Sequence, residues 1–211
     1  MIQLDLASGL LDAGAVRLSP REPFTWASGM KAPIYCDNRQ LLGVPALRGE
    51  IADTLAARAA ELKPTLIAGT STAGIPWAAL VAERLGLPMS YVRPEPKKHG
   101  MGRQVEGPST GGHRVVLLED LISTGGSSLK CVEGLRAEGA EVLETLALFS
   151  YGLPAAERAF QDAKVALRVL ATFEELAARA EIKGILQGDD RASLTEWKRD
   201  ASAWSRARGG A

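Results

Sequence analysis

The sequence has few of the residues that mark specialised classes of protein. Its 211 residues include only two cysteines, Cys36 and Cys131, which are far apart and lack the spacing of a zinc or redox motif. Lysine plus arginine and aspartate plus glutamate both number 25, so the formal net charge is zero. This balance argues against a protein that binds nucleic acid or a membrane surface.

The chain also lacks a long apolar run. Its first residues, MIQLDLASGLLDAGAV, carry an early aspartate and no basic segment, so we expect neither a signal peptide nor a membrane anchor. A cytoplasmic protein is therefore the expectation. The length suits a single well-packed domain over 1–211.

Strand and helix patterns alternate through the middle of the chain. Short apolar runs predict five strands, at 65–69, 88–93, 115–118, 141–149 and 165–170. Helical patterns lie between them, which indicates an α/β fold with a parallel sheet wrapped by helices. We also predict an N-terminal helix at 3–17 and two short strands within 24–41. Capping patterns predict later helices that begin at Thr172 and Ser193.

The most informative stretch is RVVLLEDLISTGGSSL, residues 114–129. Glu119 and Asp120 directly follow its apolar run; because a core strand cannot keep two bare charges in its interior, we expect both acids at the strand's carboxyl end. The turn that follows is rich in hydroxyls and glycine and leads into a helix, which suits a phosphate. It is not a P-loop, because no Gly-Lys-Ser/Thr follows the glycines. The acid pair alone, or the glycine-rich turn alone, suits an ordinary solvent-exposed connection. Together they indicate a ligand that carries both hydroxyls and a phosphate, such as a phosphorylated sugar.

Two further segments suggest anion binding. The turn at 70–74 repeats the order of strand, small-residue turn and helix, and is a second candidate for binding an anion. Taken alone, such a turn is more often an ordinary connection between a strand and a helix. The segment 94–113 has almost no apolar content and concentrates the cationic or titratable residues Lys97, Lys98 and His99. A linker has little reason to concentrate such groups, so we favour a mobile lid over an anionic ligand.

These parts describe one site with two anion-binding turns on either side of a ribose. Such a site fits 5-phosphoribosyl diphosphate (PRPP). Because Mg²⁺ prefers carboxylates, water and phosphate oxygens to a full protein cage, we expect it to bind mainly through PRPP and water, without dedicated metal ligands.

The motifs themselves resemble a known family. VVLLEDLISTGGSS closely resembles the PRPP signature of type I phosphoribosyltransferases, and YVRPEPKKHGMG resembles the catalytic loop of the orotate phosphoribosyltransferase family. FTWASGMKAPIYCDNR and IAGTSTAGIPWA resemble the same family, so that the resemblance spans about residues 20–150. It implies transfer of the phosphoribosyl group from PRPP to orotate, giving orotidine 5′-phosphate and diphosphate, in pyrimidine biosynthesis.

The resemblance also implies an architecture. This is the type I phosphoribosyltransferase fold, an α/β fold in which helices flank a central parallel five-stranded sheet. The implied segments are an N-terminal hood at about 1–43, a core at about 44–185, a mobile catalytic loop at 94–113 and a C-terminal helix at 189–211. A homodimer is implied as well, with the loop of one subunit reaching the site of the other.

Residue roles follow from the same resemblance. The implied catalytic residues are Arg93, Lys97, His99 and Asp120, with His99 as a proton donor to the diphosphate. Glu119 and Asp120 would bind the ribose hydroxyls, and Ser123 would contact both PRPP and orotate. The remaining PRPP contacts would be Thr70, Ser71, Thr72, Arg93, Lys97, His99, Leu121, Ile122, Thr124, Gly125, Gly126 and Ser127.

The sequence departs from the enterobacterial pattern of that family. Ala27 and Pro94 replace frequent lysines, and no arginine follows the fourth predicted strand. How the orotate carboxylate is held therefore stays open, with Lys31 as a candidate. Two alternatives remain: a phosphoribosyltransferase for another base, and a regulator that senses PRPP. The regulator would need a basic face and would have no use for the cationic lid.

Overall fold

The structure is a computed structural model that describes residues 4–95 and 104–211. Its strands are β1 (Val16–Leu18), β2 (Phe24–Thr25), β3 (Lys31–Ala32), β4 (Ile34–Cys36), β5 (Leu66–Thr70), β6 (Met89–Val92), β7 (Val105–Glu106), β8 (Arg114–Ile122), β9 (Glu141–Ser150) and β10 (Ala166–Thr172). Its α-helices are α1 (Leu6–Asp12), α2 (Pro45–Glu61), α3 (Ile75–Leu85), α4 (Gly126–Ala137), α5 (Pro154–Asp162), α6 (Phe173–Ile182), α7 (Asp190–Arg199) and α8 (Ala201–Arg206), and a 3₁₀ helix spans Asn38–Gly43.

The main sheet has the order β10-β9-β8-β5-β6-β7. The first five strands of this order run parallel, which confirms the predicted α/β fold. The expected strand count of five is corrected to six, because Tyr91 and Val92 pair antiparallel with Glu106 and Val105. The sixth strand, β7, falls within the segment 94–113 that we expected to be a loop.

Helices cover both faces of the sheet, as buried parallel strands require. On one face, α4 and α5 contribute Cys131, Leu135 and Phe160 to an apolar cluster. On the other face, α2 and α3 contribute Ile51 and Trp77 to a larger cluster. β5 is buried along its whole length and lies in the middle of this arrangement.

The N-terminal segment forms small sheets outside the main one. The predicted hairpin within 24–41 is confirmed, since β2 and β3 pair antiparallel. The predicted helix at 3–17 is too long: α1 ends at Asp12, and the residues from Val16 form β1, which pairs with β4. Cross-strand pairing therefore overrides the helical pattern in the second half of that stretch.

The C-terminal segment shows one confirmed helix start and one wrong one. Thr172 caps α6, because its Oγ1 accepts from the Glu175 N–H at 3.2 Å while Glu175 Oε2 accepts from the Thr172 N–H at 2.8 Å. Ser193 is not a cap but lies inside α7, where its N–H donates to Asp189 O at 3.1 Å. The helix expected at 189–211 is two helices, because Asp200 leaves helical geometry and caps α8.

Candidate active site

The acid pair and the two predicted anion-binding turns lie where the strand order of the main sheet reverses. From β5 the chain continues through α3 to β6 on one side, and from β8 it continues through α4 to β9 on the other. The two connections therefore diverge and leave a crevice between the carboxyl ends of β5 and β8. Open α/β sheets bind their ligands in such a crevice.

Glu119 lies within β8 and not after it, because the strand continues to Ile122. The side chain is only 6% exposed, so its charge needs compensation from within the protein. Glu119 Oε1 accepts from Thr70 Oγ1 at 2.6 Å and from the Asp120 N–H at 3.0 Å, and Oε2 accepts from Ser128 Oγ at 2.7 Å. The expectation that a core strand excludes the acid is wrong, since these donors replace water.

Asp120 is the half-buried neighbour of Glu119 at this crevice. Burial, and next to it the negative charge of Glu119, raise the pKa of Asp120 to about 7. The carboxyl of Asp120 therefore keeps its proton to a higher pH than an ordinary aspartate does. A ligand hydroxyl or cation at Asp120 would favour its ionised form.

The turn after β8 has the features of the predicted phosphate cradle. Gly125 has φ 81°, and a Cβ at this position would lie 2.8 Å from Cε2 of Phe160, so the turn needs glycine. Among residues 4–95 and 104–211, no side chain caps the start of α4, and Thr124, Gly126 and Ser127 are exposed. The first N–H groups of this helix are therefore open to an anion.

The turn after β5 packs directly against β8. A Cβ at Gly74 would lie 2.4 Å from the Leu118 carbonyl oxygen, so only glycine lets this turn approach the backbone of β8 so closely. Ser71 donates its N–H to Val92 O at 2.8 Å, which ties the turn to β6, while the side chain of Thr72 is exposed. The structure thus brings Thr70, Ser71 and Thr72 to the same crevice as the acids.

The predicted lid residues divide into described and undescribed ones. Arg93 is described: its guanidinium lies 5.9 Å from the centre of the Tyr91 ring, and its Nε lies 3.5 Å from Glu106 Oε1. Lys97 and His99 lie outside the described residues. Arg93 and Gln104, two described residues on either side of Lys97 and His99 in the chain, are hydrogen-bonded to each other: the Arg93 N–H donates to Gln104 O at 2.9 Å.

Lys31, the candidate for the orotate carboxylate, lies on the outer hairpin. Its Nζ donates to Thr25 Oγ1 at 2.7 Å, and its N–H donates to Ser205 Oγ at 2.8 Å. The structure therefore pairs the side chain of Lys31 with Thr25 of β2.

Sequence reasoning missed Asn38, which contacts the acid pair. Its Nδ2 donates to the Asp120 carbonyl at 2.7 Å. It also missed an aromatic wall in which Trp26 stacks on Tyr151 at 5.8 Å, with Trp197 of α7 edge-on to both. The Tyr151 N–H donates to Ile122 O at 3.0 Å, which places the wall beside the turn after β8. No local sequence pattern marks these contacts.

Comparisons with known proteins agree with this geometry. The family model described as "Phosphoribosyl transferase domain" matches residues 39–174. A curated relative from Listeria innocua, named orotate phosphoribosyltransferase, is 49% identical over 207 residues, which cover 97% of this chain and 99% of the relative.

Two solved structures show the same fold. Orotate phosphoribosyltransferase from Aeropyrum pernix is 37% identical with a TM-score of 0.72, covering 86% of this chain and 99% of that one. UMP synthase from Leishmania donovani is 26% identical with a TM-score of 0.78, covering 94% of this chain but 42% of that longer chain.

The hydrogen bond from Ser128 to Glu119 gives a first prediction. Ser128→Ala leaves one oxygen of a buried charge without its donor, so we expect a loss of roughly 1.5–3 kcal/mol in the free energy of unfolding. Ser127→Ala, at the exposed neighbouring position, is the control and should cost less than about 0.5 kcal/mol. Denaturant unfolding measures both, and equal losses would contradict the assignment.

The raised pKa of Asp120 gives a second prediction. Because this pKa is about 7 in the folded protein against an ordinary value of 3.8, the folded state holds more protons between these values. The stabilisation that the Asp120 proton gives to the folded state is complete below pH 3.8 and is lost as the pH rises through about 7. We expect Asp120→Asn to raise the Tm of the ligand-free protein at pH 8 and to change it little at pH 4.

Thermal unfolding across this range checks the prediction, with about 2–4 °C in Tm for each kcal/mol in a domain of this size. Asp162→Asn, at the exposed end of α5, is the matched control. A change in Tm that is the same at both pH values would contradict the burial of Asp120.

Proposed function

The chain belongs to the orotate phosphoribosyltransferase family, and we propose that it transfers the 5-phosphoribosyl group of PRPP to orotate. The products are orotidine 5′-phosphate and diphosphate, in the synthesis of pyrimidine nucleotides. The observation that carries the proposal is the meeting of Asp120 with two anion-binding turns in one crevice. Near-complete coverage of the curated relative, at 49% identity, supports orotate as the accepting base.

PRPP lies across the crevice in this proposal. Its 5′-phosphate binds the N–H groups and hydroxyls of the turn after β8, and its diphosphate binds the turn after β5. Asp120 accepts from the ribose hydroxyls. Glu119 assists with the one acceptor position that remains, because a carboxylate has about four such positions and protein donors occupy three.

Orotate lies between the ribose and the hood. Ser123 is half-buried at the start of the turn and contacts the base. Trp26 is half-buried and stacks on the buried ring of Tyr151, so it offers a flat apolar face next to the base. Lys31 is a weak candidate for binding the orotate carboxylate, because its Nζ already donates to Thr25 Oγ1.

The chemistry requires charge stabilisation on both sides of the breaking bond. As diphosphate leaves, the ribose becomes oxocarbenium-like, and the carboxyl of Asp120 stabilises its positive character. Arg93, Lys97 and His99 stabilise the charge that grows on the diphosphate and exclude water, with His99 as its proton donor. In a homodimer these loop residues serve the site of the partner subunit.

Magnesium is the proposed cofactor, and the residues at the crevice fit it. Within residues 4–95 and 104–211, no three His, Cys, Asp or Glu side chains cluster as a metal site. Asp120 is the less buried carboxyl of the acid pair, so it is the one that would face the ion, which would take most ligands from PRPP and water. When bound, it would neutralise part of the phosphate charge.

The proposed location is the cytoplasm, where PRPP and orotate are soluble metabolites. Across the described residues, every helix is too short or too polar to cross a bilayer.

The proposed function is tested by supplying PRPP, Mg²⁺ and each free base in turn. We expect the absorbance of orotate to fall, with release of diphosphate. Turnover of another base without orotate would overturn the choice of substrate. Binding of PRPP without turnover of any base would favour the sensing regulator.

The loop assignment is tested by Lys97→Ala. Because this lysine is expected to stabilise the leaving diphosphate in the transition state, we expect kcat to fall by at least about 100-fold while PRPP binding stays measurable. Lys98→Ala is the matched control, since the neighbouring lysine lies outside the Arg-x-x-x-Lys-x-His-Gly pattern. Steady-state kinetics decide, and near-normal turnover by Lys97→Ala would reject the role.

A further inference from the structure

Asn38 is a buried polar residue that the proposed mechanism does not use. It begins the 3₁₀ helix, and it is 1% exposed. Its Nδ2 donates to the carbonyl oxygen of Asp120, 82 residues away in the chain, at 2.7 Å. Its Oδ1 accepts from Cys36 Sγ at 3.2 Å. Both ends of the amide are therefore engaged, and its orientation is fixed.

The partner of Asn38 is a carbonyl that the sheet itself leaves free. The carbonyls of Arg114 and Leu118 face β5, since they accept from the Thr65 N–H at 2.8 Å and from Thr70 Oγ1 at 3.3 Å. Carbonyls two residues apart in a strand face the same side, so that of Asp120 also faces β5. The pairing of these strands ends at Leu118 with Gly69. Asn38 thus supplies to the Asp120 carbonyl the hydrogen-bond donor that β5 no longer provides beyond this pair.

This contact fixes the backbone on both sides of the Asp120 side chain. The Asp120 N–H donates to Glu119 Oε1 at 3.0 Å, and its carbonyl accepts from Asn38. The pairing of β8 with β9 holds the neighbours of Asp120, through Glu119 with Ala147 and Leu121 with Phe149. Asn38, from the N-terminal segment, holds the carbonyl of Asp120 on the opposite side of the strand and so adds to what directs the carboxyl.

Cys36 fixes which end of the Asn38 amide faces Asp120. Burial, and after it the negative charges of Asp120 and Asp37, raise the pKa of Cys36 above its ordinary range, so the thiol keeps its proton. A protonated thiol donates to Oδ1, and this leaves Nδ2 for the carbonyl of Asp120.

We propose that Asn38 is a positioning residue that directs the Asp120 carboxyl at the ribose of PRPP and joins the hood to the acid pair. This inference rests on the proposed function, because it takes Asp120 as the ribose contact. Asn38 itself touches neither substrate.

The experiment is a double-mutant cycle between Asn38 and Asp120 in the full chain. Asn38→Ala removes the amide, whereas Asn38→Leu keeps roughly its size but has no donor for the carbonyl and adds no charge beside Asp120. With Asp120 present, we expect each change to lower kcat/KM for PRPP roughly 10- to 100-fold, the cost of a misplacement near 1 Å. In the Asp120→Asn background each should change it less than about twofold.

Calorimetric binding of PRPP with Mg²⁺ is measured on the same set, and thermal unfolding confirms that each variant folds. We expect weaker PRPP binding only where Asp120 is present. Gln40→Ala, at an exposed position of the same 3₁₀ helix, is the control and should match wild type. If Asn38→Ala does not fold, Asn38→Leu, which fills the same space, decides.

Equal losses in both backgrounds would show that Asn38 only supports packing and would overturn the inference, as would a variant that behaves like wild type. A wild-type protein that binds PRPP but transfers it to no base overturns the proposed function, while the binding cycle still decides the role of Asn38. A wild-type protein that does not bind PRPP overturns both.

Discussion

The buried carboxyl of Glu119 is the interaction on which the rest of the site depends. It accepts from Thr70 at the end of β5, from Ser128 in α4 and from the N–H of Asp120. A buried charge without such partners costs several kcal/mol, so the turn after β5, the start of α4 and the acid pair must form together. One side chain thereby joins the turn after β5 to the turn after β8, and its charge also raises the pKa of Asp120.

Segments from both ends of the chain complete what the sheet begins. The N-terminal segment supplies Asn38 to the Asp120 carbonyl and Trp26 to the aromatic wall. The C-terminal helices supply Trp197 behind Tyr151, and Ser205 holds the backbone of Lys31. The parallel sheet alone would therefore offer a phosphosugar site, and the added segments enclose the side on which the base is proposed to bind.

Much of this arrangement could be predicted from the residues in order. The strand, acid pair, glycine turn and helix at 114–129 appear as expected, and the capping box at Thr172 forms. The prediction failed where a distant partner overrides a local rule. Glu119 stays inside its strand because Thr70 and Ser128 reach it, and Ser193 does not cap a helix because α7 has already begun at Asp190.

The sequence by itself determined the five parallel strands and the glycine-rich turns after β5 and β8, because apolar runs and glycines act over a few residues. It also determined the family, through motifs that are contiguous in the chain. Only the tertiary structure decided that Glu119 is satisfied within the protein, that Lys31 turns to Thr25, and that Asn38 holds Asp120. The physical reason is that hydrogen bonds between residues 49 or 82 positions apart leave no local pattern to read.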